Sequence, residues 1–547
     1  HISQQSLTAP VSSSNMVKTA QILVLGAAFA VGRSVTTTTS SADCNVEESS
    51  RSDCGYVGID QNGCESKGCC WTESSTAGVP WCFASGGDVG SDDGASDDGA
   101  SPVVDSEGVA FVHLFEWSWA DVATECEDFL GPKGFTAVQV SPPMEHITGD
   151  QWWTRYQPVS YNLTSRSGDQ AGFEDMTARC AAAGVQIYAD GVVNHMAAAP
   201  SSSAQGTGGT YYGPGRKFEP YNYDPEMMHH TSGNSNSNCA VTDYTDLTNV
   251  QECDLVGLVD LNTEEDAVRQ TIGAYITKLH TLGASGVRID AAKHINTDSL
   301  GAFLGYAPSD MFVFQEVIYG AGEASQPEMY TQNGDVTEFR FGTNLYDNFK
   351  PGATGKVQYL STFGPSWGMI ASESAVTFTD NHDTQRSASN VLTYKDGQNY
   401  NVANYFMLAH DYGYPKVMSS YYFTDTDAGP PSTPVDGGAG CDGQNWVCEH
   451  RRTGIANMVA FRKAATGVAT SDWQSGNSGN GVAFGRGATA FIAINMDTNS
   501  NWSADLDTQV PDGTYTNAID GTTQITVSGG KVSVDVPTLD AVAFYVE

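Results

Sequence analysis

From about residue 107 onward, short apolar runs alternate with longer stretches whose apolar positions recur every three to four residues. The first pattern predicts buried strands and the second predicts helices with one apolar face. Residues 109–114 (VAFVHL) read as a strand, and 119–130 as a helix that Gly131-Pro132 stops. Residues 137–140 form the next strand, 173–183 a helix ended by Gly184, and 185–189 a strand running into Asp190. A strong helix over 267–282 ends at Gly283, and strands follow at 287–290 and 311–316. Repeated βα units over roughly 360 residues predict an α/β chain built as a (β/α)8 TIM barrel. A doubly wound sheet is the alternative, but no glycine-rich phosphate fingerprint follows an early strand. Residues 196–262, rich in Gly, Ser, Asn and Tyr, break the alternation and read as a subdomain inserted after the third strand. After about 465 the pattern becomes all-β (481–484, 488–494, 524–527, 531–536, 541–546), which predicts a C-terminal antiparallel β-sandwich. The barrel region is therefore set at 105–464 and the sandwich at 465–547.

The first hundred residues have a different texture. Met16 and Lys18 precede an apolar run over 20–30, the pattern of a secretory signal at 16–30. Eleven residues are too few to span a bilayer, which needs about 20, although a short anchor helix is an alternative. No other stretch of the sequence reaches that length. Residues 31–43 are Thr/Ser-rich. Residues 84–104 contain SDDGA twice (91–95, 96–100) with almost no apolar content, the composition of an acidic tether. Between them, 44–83 holds six of the 12 cysteines. The others are Cys126, Cys180, Cys239, Cys253, Cys441 and Cys448. An even count in close groups predicts disulfides and an oxidising compartment. The alternative, a zinc cluster, lacks a CxxC pair with a matching histidine pair.

Composition changes the picture in one respect. Acidic residues outnumber basic ones 64 to 26, for a formal net charge of −38. Nucleic acids and anionic membrane surfaces are poor partners for such a chain, whereas neutral substrates and cations remain open. Asn162 and Asn501 begin glycosylation sequons, relevant in a eukaryotic host.

Polar residues where barrel strands end are the places to look for chemistry. Asp190, Asn194 and His195, then Arg288, Asp290, Lys293 and His294, then Glu316, then Asp380, Asn381, His382 and Asp383 all follow apolar strands. Asp290, Glu316 and Asp383 would suit glycoside cleavage with retention, in which a carboxylate attacks and a carboxylic acid protonates the leaving oxygen. Metal ligation and capping are alternative uses of the same residues.

Four motifs decide among these. DGVVNH (190–195), GVRIDAAKH (286–294), EVIYGAGE (316–323) and FTDNHDTQR (378–386) occur in one order with barrel spacing. LFEW (114–117), GPKG (131–134), VQVSPP (138–143), WWTRYQPVSY (152–161) and WVCEHR (446–451) add to them. From about 108 to the C-terminus the chain resembles α-amylases of glycoside hydrolase family 13, on the animal-type, chloride-dependent branch. The resemblance implies endo-acting, retaining hydrolysis of internal α-1,4-glucosidic bonds in starch or glycogen by an extracellular monomer. It makes Asp290 the nucleophile, Glu316 the general acid/base and Asp383 the transition-state stabiliser. Arg288 should favour ionised Asp290, and Glu316 should start protonated. Trp152, Trp153, Tyr156, Gln157, His195, Arg288, Lys293, His294 and His382 match substrate-binding positions, the aromatic ones as stacking faces for sugar rings. Asn194 and Asp260, with the carbonyls of Gln251 and His294, match a calcium site. Arg288, Asn381 and Lys416 match a chloride site, with lysine where many animal enzymes have arginine. Relatives carry a glycine-rich loop after the position of Arg386. This chain has SASNVLTY (387–394), which puts loop gating in doubt. The expected pairs are Cys126–Cys180, Cys239–Cys253 and Cys441–Cys448.

RSDCG (51–55), Gly58-Ile59, Cys64, GCCW (68–71) and PWCF (80–83) resemble the trefoil (P-type) domain. That resemblance implies Cys44–Cys70, Cys54–Cys69 and Cys64–Cys82, staples that a domain of about 40 residues needs. Trp71, Trp81 and Phe83 would line a small saccharide cleft, or the module is an inert appendage.

Overall fold

The computed structural model describes residues 44, 51, 61, 64, 70–74, 79, 81–83, 109–230, 239–350, 352, 356–441 and 443–547. The chain divides into two units, His1–Ala100 and Ser101–Glu547. In the first, Cys70–Trp71 pairs antiparallel with Cys82–Phe83, and Cys44–Cys70 and Cys64–Cys82 are bonded. The Arg51 guanidinium lies 4.2 Å from the centre of the Phe83 ring. Trp71 meets Trp81 edge to face at 6.0 Å. Cys54–Cys69, the signal segment and the acidic tether lie outside the described residues.

The second unit is built on eight parallel strands, β1 (Phe111–Leu114), β2 (Ala137–Val140), β3 (Gln186–Gly191), β4 (Gly286–Ile289), β5 (Phe312–Gln315), β6 (Asp335–Thr337), β7 (Ala375–Thr377) and β8 (Tyr414–Ser419). Each pairs with its neighbours in sequence, and β8 closes on β1 with Lys416 opposite Phe111. Period-two alternation sorts the barrel interior into layers. Phe111, Ala137, Tyr188, Phe312, Phe314, Val376 and Tyr414 form one apolar cluster near the strand starts. Two residues on, the same strands carry His113, Gln139, Asp190, Glu316 and Lys416, all buried. Gly286 makes room for this packing: a Cβ there would fall 2.6 Å from the Tyr188 ring and 2.8 Å from the Phe312 carbonyl oxygen.

Helices clothe the barrel. α1 (Trp119–Glu125) starts at Ser118, whose Oγ accepts from the Asp121 amide at 3.1 Å. The expected stop at Gly131-Pro132 is overturned. The helical path continues as a π turn over Cys126–Leu130 and one more turn over Gly131–Lys133, ending at Gly134 with φ 84°. Proline is tolerated there because it sits in the first turn of the new segment, where its missing N–H costs nothing. α2 (Gln170–Ala182) and α3 (Asp266–Thr281) match the periodicity, and α3 buries Val268, Ile272, Ile276 and Leu279 at helical spacing. Then come α4 (Thr297–Leu304), α5 (Phe339–Phe349), α6 (Gln398–Ala409) and α7 (Thr453–Ala464). No helix among the described residues is long and apolar enough to cross a membrane.

The insertion after β3 is tied at its base by His195–Met196 pairing with Val259–Asp260 and internally by Cys239–Cys253. Cys126–Cys180 and Cys441–Cys448 are also bonded. The C-terminal part is two four-stranded antiparallel sheets. They enclose an apolar core that includes Phe491, Trp502, Val532 and Phe544. The alternation over Lys531–Val536 is strict, one face exposed and one buried. Gly481–Arg486 and Ala490–Asn495 are buried throughout, because Phe484 also packs on Phe406 of α6.

Candidate active site

The polar layer meets where the barrel strands end, and Arg288 is its hub. Its Nη1 lies 2.5 Å from Asp190 Oδ1 and 2.8 Å from Asp290 Oδ1, and its Nη2 lies 2.7 Å from Glu316 Oε1. All four side chains are buried. Glu316 Oε2 accepts from the Ala291 amide at 3.0 Å. Ala291 has φ 49°, a left-handed conformation costly for alanine, held where the chain turns out of β4 between the two carboxyls.

Three acids on one guanidinium, buried, favour keeping a proton within the cluster. Burial pushes Asp290 well above the usual carboxylate range. Arg288 pulls it the other way, while Glu316 and Asp190 push it further up. Arg288 thus favours the ionised form of Asp290, as its place two residues away predicts, and works against burial and the neighbouring acids. Desolvation, then the neighbouring Glu316, push Asp383 up towards about 7, although 36% of its side-chain surface stays open to the cleft.

His382 and Asp383 follow β7. The His382 ring is stacked between Phe115 (5.1 Å) and Tyr156 (5.0 Å) and meets Trp152 edge-on at 5.7 Å. Burial, then the Arg288 cation, hold it neutral. Its Nε2 lies 3.2 Å from Asp383 Oδ2. Tyr156 donates to Asp190 Oδ2 at 3.0 Å, and its carbonyl is 2.9 Å from His195 Nε2. Burial drives His195 down to about 4. These contacts gather Trp152, Tyr156, His195, His382, Arg288 and the three acids in one place. Lys293 is set a little apart, donating to the Ile318 carbonyl at 2.6 Å and paired with Glu323. Gln157 accepts from the Ala198 amide at 3.3 Å. Trp153 is half-buried.

Sequence reading missed two parts of this site. Asp190 was a strand-end candidate without a role, and its position as the shared partner of Arg288 and Tyr156 is visible only in space. Arg386 lies within 4.3–5.3 Å of the ring centres of Phe423, Phe115, Trp152 and Tyr421 and donates to the His382 carbonyl at 2.7 Å. The rings come from three distant parts of the chain, so no local signal marks the box.

Two residue sets suit ions. Asn194 and Asp260 are buried, with Asn194 Nδ2 3.3 Å from Asp260 Oδ1. The Gln251 amide is committed to the Ile295 carbonyl and the Tyr330 hydroxyl, and the His294 ring to the Val250 carbonyl. Their backbone carbonyls are hard oxygens, the donor type Ca²⁺ takes. His229, not foreseen from sequence, lies 2.7 Å from Asp260 Oδ2 and is raised to about 9 by its Asp260 and Glu264 partners, against burial. The second set is cationic. Lys416 is buried, its Nζ donates to Gln139 Oε1 at 3.2 Å, and no carboxylate pairs with it among the described residues. Burial, then Arg288, push it down to about 7. A buried ammonium without a counter-ion fits an anion. Nearby, Asn381 Oδ1 accepts from the Asp383 and Thr384 amides at 3.0 and 2.8 Å and so holds the turn that carries Asp383.

The trefoil (P-type) domain family matches residues 44–85, and the alpha amylase catalytic domain family matches residues 124–415. An alpha-amylase of Streptomyces violaceus is 44% identical over 438 residues, 79% of this chain and 73% of that protein. The alpha-amylase of Tenebrio molitor is 42% identical over 446 residues (77% and 90%). The pancreatic alpha-amylase of Sus scrofa is 41% identical over 466 residues (77% and 89%). Among solved structures, alpha-amylase I of Eisenia fetida superposes with TM-score 0.75 at 34% identity, covering 80% of this chain and 97% of that one.

Proposed function

This chain belongs to the alpha-amylase family, and from that premise we propose residue roles for its hydrolysis of α-1,4-glucan bonds. The family is a retaining one. Asp290 attacks the anomeric carbon while Glu316 gives its proton to the leaving glucosyl oxygen. In the second half Glu316 takes a proton from water, which opens the glycosyl–Asp290 bond. Asp383 stabilises the positive charge that develops on the sugar ring between them. The observation that carries this reading is the seating of Asp290 and Glu316 on adjacent nitrogens of the Arg288 guanidinium. Retention needs two carboxyls about 5–5.5 Å apart, and a single guanidinium that carries both holds them as neighbours.

Trp152 and Tyr156 form the aromatic wall on which a pyranose stacks, and His195 and His382, both neutral, bind its hydroxyls. Trp153, Gln157, Lys293 and His294 extend the glucan contacts. Calcium would be held by Asn194, Asp260 and the carbonyls of Gln251 and His294, where it would brace the insertion against the barrel. Chloride would be held by Arg288, Asn381 and Lys416, where a negative charge would favour the protonated form of nearby acids. In the N-terminal unit, Trp71 and the exposed Trp81 offer ring surface to a saccharide, whereas Phe83, expected to line the same cleft, is fully buried. Five disulfides among the described residues suit an exported enzyme.

Glu316→Gln tests the central roles. Reducing-end release from soluble starch should fall by about 10³-fold or more with an unchanged melting temperature, since the proton donor is lost and the shape is kept. Retention of wild-type kcat would remove Glu316 from the reaction.

A further inference from the structure

Next to Asp383, at the exits of β7 and β8, lies a second pair of buried acids that the reaction does not use. Asp380, at the exit of β7, is 1% exposed, and Glu449, on the turn Glu449–Arg451 after β8, is fully buried. Gln385 ties the two together. Its Nε2 donates to Asp380 Oδ2 at 2.7 Å and to Ser420 Oγ at 2.5 Å, and the Ser420 amide donates to Glu449 Oε2 at 2.8 Å. Gln385 sits on the single helical turn Thr384–Ser387, whose N-terminal flank is Asp383. The network thus spans the exits of β7 and β8 and grips the turn that presents Asp383 to the cleft.

The charges in this space do not balance. No cation lies within ion-pair distance of Asp380 or Glu449 among the described residues. The groups facing Asp380 are Glu449, Gln385, Tyr400 of α6 and Arg452, with Lys416 of β8 also within its field. Arg452 spends its Nη1 on Asn401 Oδ1 at 2.6 Å. Asp380 Oδ1, Glu449 Oε1 and Gln385 Oε1 are all buried without a hydrogen-bond partner. The Tyr400 hydroxyl, buried in the same space without another partner, can serve Asp380, but one O–H cannot satisfy three acceptors. Two ionised carboxylates would add repulsion and no donor, whereas one carboxylic acid removes a charge and supplies an O–H. Burial drives both groups towards that state, Asp380 more strongly.

We propose that Asp380 is kept as a neutral carboxylic acid and is a positioning residue for Asp383, fixing its turn through Gln385, Ser420 and Glu449. It touches no substrate and acts through the geometry of the turn. The inference rests on Asp383 being a carboxylate of the reacting site.

Three variants and one spectrum test it. Asp380→Asn preserves the neutral form and a donor, so kcat and KM on a defined maltooligosaccharide should stay within about threefold of wild type. Gln385→Ala cuts the link while leaving both acids, so kcat should fall by about 10- to 100-fold with KM little changed, the signature of a misplaced carboxylate. The infrared difference spectrum of wild type minus Asp380→Asn at neutral pH should contain the C=O band of a protonated carboxyl. Loss of activity in Asp380→Asn with that band missing would overturn the neutral acid, and a wild-type kcat in Gln385→Ala would overturn the positioning. Asp383→Asn run alongside separates the layers. Full kcat there sinks the role of Asp383 and this inference with it, whereas an inactive Asp383→Asn beside an unaffected Gln385→Ala sinks this inference alone.

Discussion

At the scale of single residues, removing Arg288 would leave Asp190, Asp290 and Glu316 facing one another in a buried space with no cation between them. Breaking a buried pair costs about 3–5 kcal/mol because the partner charge is left uncompensated. Arg288→Gln should lower stability by about that amount, read as a shift of the urea midpoint at constant slope. An unchanged midpoint would mean the acids do not depend on the guanidinium. His146 gives a pH prediction. Burial, then the Arg155 cation, drive it down to about 3, while its Nδ1 is tied to the Ile147 carbonyl at 2.8 Å. The unfolded chain takes that proton near 6.5, so the unfolded state is favoured as pH falls from about 6.5 towards 3. His146→Gln does not titrate there. Its stability deficit at pH 7 should shrink by pH 4.5 in urea titrations, and a deficit constant with pH would contradict the assignment.

At the scale of elements, strand ends carry the chemistry and strand starts carry the packing. β4 shows both within four residues, with Gly286 at the crowded end and Arg288 at the polar one. A side chain at 286 meets backbone as well as the Tyr188 ring, so relief needs a strand to move. Gly286→Ala should cost about 1–3 kcal/mol by overpacking, visible as a lower melting temperature, and a neutral result would show that β5 can yield. The segment after Arg386 belongs to this scale too. Val391, Leu392 and Tyr394 are buried, Thr393 and Asp396 form a capping box, and Lys395 lies 3.7 Å from the Phe423 ring centre. Residues 391–396 are thus anchored, whereas Ser387, Ser389 and Asn390 are exposed.

At the scale of the whole molecule, the candidate calcium set joins parts of the chain that meet only through the fold: Asn194 beyond β3, Gln251 and Asp260 in the insertion, His294 beyond β4. A cation bound by the folded state alone stabilises it by about 2.7 kcal/mol at a hundred times its Kd. Chelation should therefore lower the melting temperature by roughly 3–5 °C, and Asp260→Ala should abolish the shift. No shift on chelation of metal-loaded protein would remove the ligand set.

Sequence alone marked five of the eight barrel strands and three of the helices, the all-β end, the cysteine groups, and four motifs that single out Asp290, Glu316 and Asp383, while the strands 335–337, 375–377 and 414–419 were placed only by barrel closure. The former are legible because periodicity and strand-end polarity are local properties of the chain. It misplaced the end of the first helical segment, where a π turn carries the path through Pro132 to Gly134. It showed the pull of Arg288 on Asp290 but not the opposing push, because the cost of burying Asp290 depends on everything packed around it. The meeting of Asp190, Asp290 and Glu316 on one guanidinium, the four-ring box around Arg386, the His229–Asp260 pair and the Asp380–Glu449 network were decided by tertiary structure alone. Each joins residues far apart in sequence, and their charges and hydrogen bonds acquire meaning only once barrel closure removes water from between them.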